Sequence, residues 1–306
     1  MSGRVPTDIA ASVRQKLLNY SREKKEDFNL VLTRYAQERL LYRLSKSEYA
    51  DDFVLKGGLM FLVWEDNPYR VTRDMDFLGY GEDSSSRMIE VFKSLSNAEF
   101  PDGLVFDTDS VKAKEIRGMQ EYNGIRIELC ASLKKALIPL QIDIGFGDAI
   151  FPESEMNEFP TIMDMPSPFL HTYSRYSVVA EKYEAMVKLG IANSRMKDFS
   201  DIWMMSKMFS FDGTATSKAI RATFERRKTE IPHSLPEALT NAFANDSVKK
   251  IQWLAFVKRS RSITSPDGLE ELITFIRGFL MEPTLSCHSK LPFNKEWLPG
   301  GPWGKK

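Results

Sequence analysis

Residues 71–81 read VTRDMDFLGYG, and two aspartates, Asp74 and Asp76, stand one residue apart in this largely apolar run. In a β-strand, successive side chains point to opposite faces, so both carboxylates would share one face while Met75 and Phe77 point into the core. Two carboxylates that close repel each other unless a positive charge lies between them. Hard divalent cations such as Mg²⁺ or Mn²⁺ favour carboxylate oxygens. The stretch therefore predicts a strand that carries a metal site.

A simpler interpretation treats the two aspartates as solvated charges at a strand edge, paired with Arg70 and Arg73. The same arginines and Thr72 flank the acids and could instead contact phosphates, since a guanidinium binds phosphate through a planar fork. Both interpretations fit the stretch by itself.

Two other short stretches favour the metal site. Gly57 and Gly58 separate a short apolar strand from a predicted helix, and paired glycines there let backbone N–H groups approach phosphate oxygens. Asp143 is the acid on the polar side of the alternating run LQIDIGF, residues 140–146. If that strand pairs beside the first, all three acids converge. Such an arrangement is what metal-assisted phosphoryl or nucleotidyl transfer needs.

Hydrophobic periodicity predicts an α+β fold in two parts. The spacing of apolar residues predicts helices over residues 8–24 and 27–45, and it alternates as in strands over residues 124–130 and 140–146. From about residue 177 the pattern is helical again, and no strand is predicted after residue 150.

We therefore expect one lobe over residues 1–165, with N-terminal helices and a sheet, and a helical lobe over residues 166–306. The proline- and glycine-rich tail, LPFNKEWLPGGPWGKK at residues 291–306, is predicted to run over the surface in extended form.

Composition excludes several classes of function. The 42 basic side chains balance the 42 acidic ones, so no global charge attracts nucleic acid or a membrane, and any polyanion site must be local. No segment is typical of a signal peptide or a membrane span, which favours a cytoplasmic protein without a membrane partner. The two cysteines and three histidines lack the spacing of a disulfide framework or a metal site.

Lys182 lies on the apolar stripe of a predicted helix, since Val178 and Val179 precede it by one turn and Met186 follows by one turn. A lysine in that position needs a partner. Its ammonium could pass the apolar surface into water, as lysines often do. Alternatively, it reaches into a cleft and neutralises nucleotide phosphate. Lys188 lies off the stripe and is predicted to be solvated.

Asp198 and Asp201 stand three residues apart at the start of the next predicted helix and share a face. Acids in a first turn stabilise the helix dipole, so capping competes with a catalytic role. Three basic clusters in the same half could follow a nucleic-acid backbone, although such clusters are more often a solvated helix face. They are ERRK at residues 225–228, KK at 249–250 and KRSR at 258–261.

Five motifs, in the same order, resemble the AbiEii/AbiGii family of nucleotidyltransferase toxins, which includes the mycobacterial MenT toxins and belongs to the polymerase-β-like superfamily. The resemblance covers about residues 8–210. Fifteen residues separate Gly58 from Asp74, more than in many members of that superfamily. The motifs are FVLKGG (53–58), YRVTRDMDF (69–77), LQIDIGFGD (140–148), VVAEKYEAM (178–186) and RMKDFSDIW (195–203).

The resemblance implies a polymerase-β-like nucleotidyltransferase lobe with a mixed sheet, a C-terminal helical lobe and an active site in the cleft between them. It implies that the enzyme moves NMP from an NTP to an acceptor, namely the 3′ end of tRNA, as the toxin of a toxin–antitoxin or phage-defence system with a cognate antitoxin.

The same resemblance implies roles for individual residues. The predicted metal ligands are Asp74, Asp76 and Asp143, for Mg²⁺ or Mn²⁺. The predicted catalytic residues are Asp74, Asp76, Lys182 and Asp198, with Asp201 as a structural companion. The predicted nucleotide-binding residues are Gly57, Gly58, Arg70, Thr72, Arg73 and Lys182.

The sequence is compatible with two alternatives. The scaffold could transfer a nucleotide to a protein or a small molecule, because one fold serves several acceptors. A catalytically silent protein could also use the same cleft to bind a nucleotide or a partner.

Overall fold

The computed structural model describes residues 8–64, 72–117, 123–260, 266, 268–289 and 291–306. Its contacts divide the chain into two compact units. Unit 1 comprises Met1–Gly147 and Glu155–Thr172, and unit 2 comprises Asp148–Ser154 and Tyr173–Lys306.

Within the described residues, unit 1 contains four α-helices and a seven-stranded sheet. The helices are α1 (Ile9–Lys24), α2 (Phe28–Ser45), α3 (Met60–Trp64) and α4 (Ser85–Asn97). The strands are β1 (Phe53–Lys56), β2 (Asp74–Gly79), β3 (Val105–Arg117), β4 (Asn123–Leu133), β5 (Ala136–Phe146), β6 (Glu155–Glu158) and β7 (Phe169–Thr172).

The sheet of unit 1 is mixed, with the strand order β3-β4-β5-β2-β1-β7-β6. Strand β2 is antiparallel to β1 and parallel to β5, and β1 is parallel to β7. Apolar side chains on one face, such as Met75 and Ile142, pack with α1, α2 and α4 in a single core. The opposite face carries the polar residues of the alternating strands, which positions the candidate site.

Both predicted N-terminal helices are confirmed, and each starts at an aspartate. The side chain of Asp8 accepts a hydrogen bond from the backbone N–H of Ala11, and Asp27 accepts from Asn29 and Leu30. Such caps satisfy N–H groups that have no partner within the helix.

Unit 2 is mainly helical. Its helices are α5 (Arg175–Leu189), α6 (Met196–Met208), α7 (Gly213–Arg226), α8 (Asn241–Asn245), α9 (Ser247–Ser260) and α10 (Leu269–Ser286). Its strands are β8 (Phe211–Asp212), β9 (Lys295–Trp297) and β10 (Trp303–Lys305), in one small sheet of order β10-β9-β8.

The prediction of an α+β fold with a mixed sheet is confirmed. The prediction that no strand follows residue 150 is wrong, because β6 and β7 extend the large sheet and β8, β9 and β10 form the small one. These strands have two to four residues each, too few to show alternation. Long-range pairing stabilises them instead.

The tail also differs from its prediction. Instead of running over the surface, residues 295–305 form the β9–β10 hairpin and bury two tryptophans, Trp297 and Trp303. The indole N–H of Trp297 donates to the carbonyl of Ser206, and that of Trp303 donates to the carbonyl of Phe279. In the described part of the chain, no helix is long and apolar enough to cross a membrane.

Candidate active site

Strand β2 presents its two aspartates as the sequence predicts. Met75 and Phe77 are buried in the core of unit 1, while Asp74 is exposed and Asp76 is half-buried on the opposite face. The alternation of the strand thus separates the carboxylates from the core.

A charged row crosses five strands of the sheet, because the strand register aligns one charged residue from each. Asp76 pairs with Lys56 on β1 and with Asp143 on β5. Asp143 pairs with Arg126 on β4, which in turn pairs with Lys114 on β3. Residues paired in this way point to the same face. The charged row is therefore Lys56, Asp76, Asp143, Arg126 and Lys114, and it confirms that the strand of Asp143 lies beside the strand of Asp76.

Arg126 binds Asp143 through both arms of its guanidinium. The Nε–Oδ1 distance is 2.7 Å and the Nη2–Oδ2 distance is 2.8 Å, and both side chains are half-buried. The hydrogen bonds to Asp143 raise the pKa of Arg126 above its ordinary value. Sequence reasoning missed this residue. Its position on the polar side of GIRIELC was visible, but the cross-strand partner that makes it relevant depends on register.

Gly57 lies against the carboxylate of Asp76. Its φ is +70°, in the left-handed region that favours glycine, and a Cβ built there would overlap the carboxylate, at 2.7 Å from Asp76 Cγ. Gly58 is buried in the turn that follows and precedes α3. Gly57 thus lies beside Asp76, and Gly58 follows it. The contact of the two glycines with phosphate stays a prediction.

The backbone before β2 is held by a buried residue that sequence reasoning also missed. Gln37 on α2 donates from Nε2 to the carbonyl oxygen of Arg73, at 2.7 Å. Thr72 and Arg73 lie directly before Asp74, and their role in binding phosphate stays a prediction. Arg70 lies outside the described residues.

The donors in unit 1 suit a hard divalent cation in their chemistry. Asp74 and Asp76 offer oxygen ligands from one face, and Asp143 stands beside them with its oxygens bound to Arg126. Within the described residues, no three histidine, cysteine, aspartate or glutamate side chains lie close enough to form a metal site. In the strand register Asp143 is the direct neighbour of Asp76, and Asp74 lies two residues along β2. Asp143 would contribute by sharing its oxygens between Arg126 and the cation.

Unit 2 holds Lys182 between two aspartates. Its Nζ is 2.7 Å from Asp198 Oδ1 and 2.7 Å from Asp201 Oδ2, and its side chain is 12% exposed. The predicted partner for this lysine therefore exists, and the ammonium does not extend into water. Lys188 is exposed, as predicted.

Both aspartates are buried on α6, and Asp198 also contacts Arg195, with Nε 2.8 Å from Oδ2. Burial acts to raise the pKa of Asp198, but Lys182 and Arg195 outweigh it and hold that pKa below its ordinary value. Asp198 is thus an ionised carboxylate bound to two cations, which goes beyond helix capping.

Two of the basic clusters contain cations that are already bound. Arg227 contacts the carboxylates of Asp148, Glu181 and Glu184, at 3.0 Å, 3.2 Å and 3.0 Å. Lys249 donates from Nζ to the carbonyl of Asn193, at 2.9 Å. Because these groups are occupied inside unit 2, neither supports contact with a nucleic-acid backbone.

Comparison with known proteins identifies the family. The sequence profile described as "Nucleotidyl transferase AbiEii toxin, Type IV TA system" matches residues 39–274. No curated protein matches the chain.

Two solved structures are similar to the chain. JHP933 from Helicobacter pylori has 15% identity and a TM-score of 0.48, over 90% of this chain and 93% of that one. A candidate nucleotidyltransferase from the same organism has 14% identity and a TM-score of 0.47, over 90% and 96%. Because the family match spans most of the length, the protein belongs to the AbiEii nucleotidyltransferase toxin family of type IV toxin–antitoxin systems, and it is a nucleotidyltransferase.

Proposed function

We propose that this enzyme transfers NMP from an NTP to the 3′-hydroxyl of an RNA, with the 3′ end of tRNA as the acceptor, and that the transfer depends on Mg²⁺ or Mn²⁺. The observation that carries the proposal is the placement of Asp74 and Asp76 on one face of β2, with Asp143 in register on the parallel strand β5. The hydroxyl oxygen forms the new bond to the α-phosphorus, the bond to the β-phosphate breaks, and pyrophosphate leaves.

The residues of unit 1 would assemble this reaction. Asp74 and Asp76 hold the cation, with Asp143 as the further ligand. When bound, a divalent cation would neutralise negative charge on the triphosphate and would favour the deprotonated form of the attacking hydroxyl. Gly57 leaves room for the Asp76 carboxylate, and Arg126 keeps Asp143 ordered and charge-balanced in the free enzyme.

In unit 2, we assign Lys182 to the neutralisation of nucleotide phosphate and Asp198 to the orientation of the acceptor or to base catalysis. The resemblance of the AEK and KD motifs, at Lys182 and Asp198, to those of the family supports both roles. Lys182 is paired with Asp198 in the free protein, so phosphate would have to replace a carboxylate at its ammonium. Asp201 supports Lys182 from the other side.

The biological role would be that of a toxin acting in the cytoplasm, where NTP and tRNA are found. A cognate antitoxin is the implied protein partner, and defence against phage is one setting in which such a pair could act. These assignments rest on family membership.

The first experiment incubates the purified protein with each labelled NTP, Mg²⁺ and total tRNA, and follows label on a denaturing gel. The Asp74→Asn/Asp76→Asn variant should lose several orders of magnitude in rate, because the metal ligands are removed. The matched control is Asp107→Asn/Asp109→Asn, which changes a second D-x-D pair that is exposed on β3. That control should retain transfer.

Other outcomes point to other functions. Label in protein or in a small molecule, lost in the same acid variant, would indicate a different acceptor. Equal nucleotide binding in all three proteins with no transfer to any acceptor would contradict the proposal and favour a binding protein.

A separate experiment tests Lys182. Lys182→Met should remove transfer, but it also leaves buried Asp201 without its cation and Asp198 with Arg195 alone, which costs about 3–5 kcal/mol of stability. Denaturant unfolding must therefore accompany the rate. The triple variant Lys182→Met/Asp198→Asn/Asp201→Asn should regain stability but not transfer. A triple variant that regains both would show that the cluster is structural.

A further inference from the structure

We propose that the open face of strands β3 and β4 binds the phosphate backbone of the acceptor strand, with Lys112 and Lys114 as the main contacts. The inference rests on the proposed function, because it takes the acceptor to be RNA. It predicts that the acceptor RNA runs over the sheet from the aspartates on β2 toward the edge strand β3.

The register of the sheet places these lysines at the ends of two rows that contain Asp76 and Asp74. Lys114 ends the charged row that contains Asp76. One step along the strands, a second row runs from Asp74 through Gln141 and Glu128 to Lys112. With β3 three strands away from β2, the lysine backbones lie about 14 Å from the acids.

The same face is open to solvent along this path. Lys112 and Lys114 are exposed, and the residues of β4 on this face, such as Arg126 and Cys130, are half-buried. The alternate residues of β4, such as Ile127 and Leu129, are buried in the core on the other side. An RNA strand that lies across this face would therefore contact polar side chains.

Lys114 and Arg126 both have hydrogen-bond donors to spare. Lys114 Nζ contacts both carboxylate oxygens of Glu128 at 2.9 Å, with side chains 62% and 40% exposed, and an exposed ion pair of this kind is weak and exchanges readily. Arg126 uses two of its N–H groups on Asp143, whereas a guanidinium has five. Phosphate oxygens can therefore bind these cations while the Arg126–Asp143 ion pair stays intact.

The test measures RNA binding in EDTA, so that no reaction can occur. The probe is a fluorescently labelled single-stranded RNA with a free 3′-hydroxyl, and the salt dependence of its affinity is recorded. Lys112→Gln/Lys114→Gln should weaken binding about tenfold at low salt and reduce the slope of log K against log salt by about 1.4, since each lost phosphate contact removes about 0.7 for single strands.

Two further variants make the result specific. Lys16→Gln/Lys93→Gln removes the same charge from exposed lysines on α1 and α4, which cover the other face of the sheet, and should bind RNA like the unmodified protein. Lys112→Arg/Lys114→Arg keeps both charges and should restore binding and its salt slope.

Equal loss in the two glutamine variants would overturn the inference, because it would show a general charge effect. So would unchanged RNA binding in Lys112→Gln/Lys114→Gln, or weaker binding of NTP in place of RNA. The proposed function is judged separately by the aspartate variants. Transfer to RNA that requires Asp74 and Asp76 but ignores the lysines would leave the function standing and reject this surface.

Discussion

At the scale of single residues, Gly57 shows how one backbone position determines the geometry of the acids. Its positive φ and its contact with Asp76 both require the absence of a Cβ. A side chain there would either displace the carboxylate or force the backbone out of the turn.

We expect Gly57→Ala to lower the transfer rate by about a hundredfold, because a carboxylate displaced by about 1 Å no longer holds its ligand correctly. The free energy of unfolding should fall by about 1–3 kcal/mol from backbone strain. Transfer kinetics and denaturant unfolding measure the two effects.

The matched control is Gly300→Ala in the tail. Gly300 has a φ of +90°, but its Cβ would meet nothing within 4 Å. It should show the cost in stability without the loss of rate. If both variants lose activity equally, then strain alone explains the effect and the contact with Asp76 does not matter.

Glu38 on α2 links the stability of unit 1 to pH. Its carboxylate is buried, accepts a hydrogen bond from the backbone N–H of Ile162 at 2.8 Å, and lies beside Arg39. Burial raises the pKa of Glu38 from its ordinary value of 4.5 to about 7, against the opposing effects of that hydrogen bond and of Arg39. The folded protein therefore binds this proton more tightly than the unfolded chain does.

Because the folded-state pKa is raised, the stabilisation from protonated Glu38 is complete below about pH 4.5 and is lost as pH rises through about 7. Glu38→Gln stays neutral and keeps an acceptor for Ile162. Between about pH 5 and about pH 8, the free energy of unfolding of the unmodified protein should fall by about 2–3 kcal/mol relative to the variant. Denaturant unfolding across that range is the measurement, and parallel pH profiles for the two proteins would contradict the assignment.

At the scale of secondary-structure elements, the pairing of β4 with β5 decides what Asp143 does. The two strands bring a cation, Arg126, next to an acid that neighbours Asp76. The cation relieves the repulsion between the carboxylates and competes with any metal ion for Asp143.

We expect Arg126→Gln to bind Mn²⁺ roughly tenfold more tightly in the absence of nucleotide, because a nearby positive charge has been removed. Titration with Mn²⁺ followed by electron paramagnetic resonance measures this. Lys114→Gln, one strand further from the acids, is the control and should change the affinity less. Weaker binding in Arg126→Gln would mean that the arginine chiefly orients Asp143 as a ligand.

At the scale of the whole molecule, the chain is electrically neutral, yet its charges are concentrated in local groups. The charged row lies in unit 1, while unit 2 encloses Lys182 with Asp198 and Asp201. The net charge of the sequence therefore carries no information about where phosphate could bind.

The C-terminal hairpin is an integral part of unit 2. Trp303 is stacked on Phe279 with a centroid distance of 5.8 Å, and it meets Trp297 and Phe293 edge-on. We expect Trp303→Ala to lower the free energy of unfolding of unit 2 by about 3–5 kcal/mol, because it leaves a cavity in an aromatic cluster. Leu298→Ala, at an exposed site in the same hairpin, should change stability by less than about 0.5 kcal/mol. If Trp303→Ala lowered the free energy of unfolding as little as Leu298→Ala does, the hairpin would contribute little to stability as a packed element.

The sequence by itself determined the local features of this protein. The alternation around Asp74 and Asp76, the polar position of Asp143 and the apolar stripe beneath Lys182 are all periodicities within one element, and each agrees with the structure. The family could also be identified from the order of its motifs, which the profile match over residues 39–274 confirms.

Only the tertiary structure decided which groups meet. The arginine that binds Asp143, the Gln37 amide that holds the backbone of Arg73, and the two aspartates around Lys182 all come from other elements. The burial of Trp303 is decided in the same way. The physical reason is that strand register and helix packing depend on the free energy of long-range burial and pairing, which no local pattern of residues records.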